Sequence, residues 1–150
     1  EIIIVMVIMG IALGLAGIMI SKGRGSLEVK TFTKEISAAL RYARSHAVTE
    51  KKMYCLVINK EEGVLRLFSE KRKGGEDDGE SGRFSLVLSK PIPDEMEVIL
   101  QDDDSEEPCI EFFPLGQSTG GVLEISNEEG TTYLISINMI TGKLEVEKAE

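Results

Sequence analysis

Few residues of this 150-residue chain are of types that carry out chemistry. The single histidine, His46, stands between Arg44 and Ala47 in a segment of helical character, where it reads as a packing or surface residue rather than a general base. Gly116-Gln117-Ser118-Thr119-Gly120 matches G-x-S-x-G, the pattern that raises a nucleophilic serine on a strand-to-helix turn. That chemistry needs a histidine later in the chain. None follows, and strand-like sequence comes next, so Ser118 reads as a loop residue. Asp102 to Glu107 supplies hard oxygens of the kind calcium prefers. It lacks the spaced ligands and central glycine of an EF-hand, and reads as a solvated acidic loop. Lys71-Arg72-Lys73 is followed by Glu76, Asp77 and Asp78, a locally neutralised loop. Cys55 and Cys109 have neither C-x-x-C spacing nor partner histidines, which argues against a metal site. They remain either buried thiols or one disulfide formed in an oxidising compartment. Placement on two strands can meet the spacing a disulfide requires, and the long loop so closed would contribute up to ~4 kcal/mol. No catalytic residue, cofactor or metal is expected.

The elements that carry these residues fall into three zones. Residues 2–20 contain no charged side chain, and all but Gly10, Gly14 and Gly17 are apolar. A bilayer core is crossed by about 20 such residues as a helix. A cleaved signal peptide has a shorter apolar stretch followed by a small-x-small site. Here the small residues Ala12, Gly14 and Ala16 lie inside the run, so a retained helix over residues 1–21 is the better reading. Lys22, Arg24 and Lys30 flank its end, which by the positive-inside rule alone would be cytoplasmic; a basic leader before Glu1 would counter them. Gly10 and Gly14 form G-x-x-x-G, which lets a second helix approach closely but also loosens the helix that carries it. Glu1, a carboxylate abutting an apolar run, is costly there unless paired or held among headgroups.

Residues 22–52 carry a net charge of +5. Within them Val29, Phe32, Ile36, Leu40, Ala43 and Ala47 recur at three- and four-residue steps, one apolar face of a helix. Gly23 and Gly25 invite a break or kink between the membrane helix and this stem. Residues 53–150 carry −13 and change to a period of two. Strands are predicted at Met53–Asn59, Val64–Glu70, Phe84–Ser89, Met96–Gln101, Cys109–Phe113, Val122–Ser126, Thr132–Asn138 and Lys143–Glu147, separated by glycine-containing turns. Pro91 and Pro93 demote their stretch to an edge or loop. The fold class is therefore α+β: a long N-terminal helix, hydrophobic then amphipathic, packed on an antiparallel, sandwich-like head. So acidic a head repels a phosphate backbone, which disfavours nucleic acid as a partner.

Glu1 followed by Ile-Ile-Ile-Val-Met-Val-Ile-Met-Gly-Ile, an amphipathic stem and an acidic β-rich head resembles the type IV pilin and pseudopilin superfamily. The stem from Ala38 to Ala47, the segment Ile110 to Gly121 with Phe112-Phe113-Pro114-Leu115-Gly116, and the hairpin Tyr133 to Val146 are similar to the GspH/FimT group of minor pseudopilins. The resemblance implies a structural subunit without enzymatic activity. It implies a methylated N-terminus four residues before Glu1, and pairing of Glu1 with the terminal amine of a neighbouring subunit. It further implies single-pass anchorage in a bacterial inner membrane with the head in the periplasm, then packing into a filament through the N-terminal helix, eased by Gly10 and Gly14. Secreted cargo or a secretion channel would be further partners. A minor pseudopilin near the tip of a type II secretion pseudopilus is the leading expectation. A minor pilin of a type IV pilus, in fibre assembly, adhesion or DNA uptake, and a membrane-anchored ligand-binding domain are the alternatives.

Overall fold

A computed structural model describes residues 2–71, 83–103, 105 and 107–149; the side chains of residues 8 and 10–24 lie outside the described set. The loop expected at residues 71–82 falls outside it after Lys71.

The described chain consists of one helix followed by eight strands. Helix α1 covers Ile2–Glu50 without interruption, so the break expected at Gly23 and Gly25 does not occur. Each helical glycine costs about 1 kcal/mol relative to alanine, a penalty that the flanking helix formers outweigh. At 1.5 Å per residue this helix is roughly 73 Å long. It ends through a Schellman-type cap: Lys51 takes the left-handed conformation, φ 54°, and the Lys52 N–H reaches back to the Ala47 carbonyl at 3.3 Å.

The strands are β1 (Tyr54–Asn59), β2 (Val64–Glu70), β3 (Phe84–Pro91), β4 (Met96–Leu100), β5 (Cys109–Phe112), β6 (Gly121–Asn127), β7 (Thr132–Ile137) and β8 (Leu144–Lys148). They form two four-stranded sheets, ordered β3-β2-β1-β5 and β4-β6-β7-β8, with every pairing antiparallel. The alternation that predicts the strands also decides which face is buried. Leu65, Leu67 and Ser69 of β2 point inward, while Val64, Arg66, Phe68 and Glu70 are half-exposed. β3 runs on to Pro91, and it is an edge strand, where a residue without an N–H is tolerated. Its pairing with β2 slips between Leu67 and Phe68.

One core joins the three layers. From α1 come Val29, Phe32, Ile36, Leu40, Ala43 and Ala47, the predicted stripe, all buried. Tyr54, Leu56, Ile58, Leu65, Leu67, Ile110 and Phe112 of the first sheet meet them, as do Val98, Leu100, Leu123, Ile125, Ile135 and Ile137 of the second. Thr33 and Ser37 are buried beside the stripe, and their hydroxyls donate to the carbonyls of Val29 and Thr33 at 2.7 and 2.8 Å, which leaves neither unsatisfied.

Candidate functional site

Two regions of this fold hold described residues that the core does not use: the exposed start of α1, and the outer face of the first sheet.

The C-terminal half of α1 is fastened to the head at both ends of its buried stripe. Near one end the Lys90 ammonium bonds to the Glu35 carboxylate and lies 5.7 Å from the centre of the Phe32 ring. Near the other the Arg44 Nε donates to the Thr141 carbonyl at 2.9 Å. The turn that offers this carbonyl depends on Gly142, at φ 60°: a Cβ there would sit 2.6 Å from the Gly116 carbonyl oxygen. The Asn127–Thr131 turn comes close to Gly25, where an added Cβ would lie 2.7 Å from the Glu129 carboxyl carbon.

The described side chains at the N-terminal end of α1 have no such cover. Ile2, Ile3, Ile4, Val5, Met6, Val7 and Met9 are each between 55% and 77% exposed. Contiguous exposed apolar surface marks a place of contact with another apolar surface. Gly10 and Gly14 fall one turn apart in the same helix. Glu1 lies outside the described residues. Among the described residues no helix is long and apolar enough to cross a membrane. The expected span falls on residues 1–21, of which residues 8 and 10–21 have no described side chains.

His46 is half-exposed. Its Nδ1 is 2.8 Å from Glu50 Oε1, and its ring stacks on Tyr42 with centroids 3.9 Å apart. That bond, and after it Lys52, holds the Glu50 carboxyl below its usual range. Tyr54 completes the cluster; burial first and then Glu50 push its phenol up to about 12. Ser118 is buried. Its hydroxyl donates to the Asn138 carbonyl at 3.1 Å and accepts from the Gly120 N–H at 3.1 Å, so it ties two loops together. Serine and histidine each have partners of their own, and β6, a strand, follows the glycines. In the acidic loop, Asp103 accepts from the N–H and the hydroxyl of Ser105, at 3.1 and 2.6 Å, and these bonds lower its pKa. Asp104 and Glu106 lie outside the described residues.

Cys55 and Cys109 do come together. In the β1–β5 register Cys55 faces Glu111 and Val57 faces Cys109, so the cysteines are diagonal neighbours. Both thiols are free. A third group, Glu111, joins them: the two sulfurs and a carboxylate oxygen all lie within 4.8 Å of one another. Burial raises the pKa of both thiols. The Cys109-x-Glu111 alternation is visible in the sequence, but the pairing of β5 with β1 that places it beside Cys55 is not.

A family model described as type II transport protein GspH matches residues 33–142. No curated protein sequence matches the chain. Among solved structures, the minor pseudopilin EpsH of the Vibrio cholerae type 2 secretion system superposes with TM-score 0.61 at 8% identity, covering 83% of this chain and 96% of that one. The type IV minor pilin FimU of Pseudomonas aeruginosa gives 0.57 at 18% identity, over 79% and 91%. The solution structure of Escherichia coli GspH gives 0.54 at 16%, over 86% and 89%. At these identities the likeness is one of fold.

Proposed function

The chain belongs to the GspH family of type II transport proteins, and from that premise we propose that it is a minor pseudopilin of a type II secretion system. It is held in the bacterial inner membrane by residues 1–21 with its head in the periplasm, and then enters a short filament near the tip. The observation that carries this reading is the exposed apolar surface of Ile2–Val7 and Met9 on α1, which the chain's own head leaves uncovered. Lipid covers it before assembly, and the helices of other pseudopilin subunits cover it afterwards. In that apolar setting an unpaired carboxylate is expensive, so Glu1 selects the register in which a neighbour's terminal amine meets it. Gly10 and Gly14 permit the close approach of helices. The head, net −13, is left for neighbouring subunits, secreted cargo or the secretion channel.

Incorporation of a Glu1→Ala variant into filaments, measured by cross-linking to the other pseudopilins at equal expression, is expected to be lost. Normal incorporation of the variant would remove the role given to Glu1, and absence of such cross-links for the unaltered chain would favour a membrane-anchored binding domain instead. The fold shared with FimU keeps a second reading, a minor pilin of a type IV pilus. Deletion of the gene separates the two, since a pseudopilin is required for protein export and a pilin for pilus assembly.

A further inference from the structure

On β1 the core takes Tyr54, Leu56 and Ile58, and on β5 it takes Ile110 and Phe112. The alternate residues Cys55, Cys109 and Glu111 therefore share the opposite face of the first sheet. Cys55 is nevertheless only 9% exposed, while Cys109 and Glu111 are half-exposed. Phe68 stands beside Cys55 on β2. Towards the other side come carboxylates: Asp103 acts on Cys109 through its charge, and Glu107 accepts from the Asn59 amide at 2.7 Å. Two soft donors and one hard donor thus converge on a spot walled by an aromatic ring on one side and open to solvent and negative charge on the other.

We propose that Cys55, Cys109 and Glu111 bind one thiophilic divalent cation of the zinc type. A tetrahedral centre with bonds of ~2.3 Å to sulfur and ~2.1 Å to oxygen holds its thiolates ~3.8 Å apart and its oxygen ~3.6 Å from each. The observed donors all lie within 4.8 Å of one another, at most about 1 Å wider than that geometry. A disulfide asks more of the backbone. It needs Cα atoms ~4.4–6.8 Å apart, and diagonal strand neighbours lie at ~7–8 Å. Sulfur donors select zinc or cadmium over calcium and magnesium, which prefer oxygen. Each thiol releases its proton to water as it binds, and water fills the fourth position. The surrounding acidic surface draws the cation in.

The test uses the full chain in detergent, reduced and stripped with chelator, titrated with cadmium. The expected result is a thiolate-to-metal absorption band that saturates at one cation per chain, is displaced by zinc and is untouched by calcium. Glu111→Gln leaves both thiols in place and is expected to weaken binding about tenfold or more. Absence of the band in the unaltered chain would overturn the proposal. So would binding unchanged in Glu111→Gln, or a Cys55–Cys109 disulfide in protein isolated from its native compartment. The assembly reading stands on α1 and survives any of these results.

Discussion

Lys51 shows how a single residue absorbs strain that the sequence does not advertise. Its left-handed backbone closes α1 and turns the chain into β1, at a position where glycine is the usual occupant. Lys51→Gly is expected to stabilise the chain by about 1 kcal/mol, read as a higher denaturant midpoint at unchanged slope. Tyr54 gives a pH effect of definite sign. Its folded pKa, about 12, lies above the unfolded value of 10, so below pH 10 both states hold the proton and its contribution is fully present. Between pH 10 and 12 only the unfolded state releases it, and stability falls by on the order of 2 kcal/mol. Tyr54→Phe should remove that part of the decline in unfolding curves taken across this range. Residue types alone read Ser118 as a loop residue, because no histidine follows it, and its hydroxyl does bond to two loop partners. They did not reveal Glu111 as a companion of the cysteines, because strand pairing is a relation between distant segments.

The stem of α1 is the element on which the head is organised. Leu40 is fully buried at the middle of the stripe. Leu40→Ala is expected to cost about 2–5 kcal/mol, measured by urea unfolding in detergent, because α1 and both sheets converge on the core it fills. This element was legible as a helix with its buried face, since an apolar residue every third or fourth position has no other use. The eight strands were legible to within two residues at each end for the matching reason, a period of two bounded by glycine turns. Continuity across Gly23 and Gly25 was not, because local propensity is a weak prior against helix on both sides. Nor was the slip in register between β2 and β3, or the exposure of Phe84, Leu86, Val87 and Leu88 that goes with an edge strand. Those depend on which strand ends a sheet, and sequence order does not state that.

For the molecule as a whole, the exposed apolar residues at the start of α1 are set apart from the stem that is buried on the head. Among the described residues the first fully buried one of the stem is Val29, and the exposed apolar residues Ile2–Val7 and Met9 lie well before it. A fragment of residues 27–150 retains every core residue. It is expected to be folded and monomeric in plain buffer by circular dichroism and size-exclusion chromatography, whereas the full chain should need detergent. A full chain that ran as a monomer without detergent would contradict the assembly reading. The neutral mean hydropathy, −0.01, is the average of these two parts and describes neither.

The buried stripe from Val29 to Ala47 also has a mechanical meaning. It runs about 27 Å along the helix axis, and the head grips it side-on from both sheets. A pull along the axis loads all those contacts together in shear, and each carries a fraction of the force. A pull across the axis opens them one turn after another, as in peeling. The joint between helix and head is therefore strongest against a load along the helix axis and weakest against one across it.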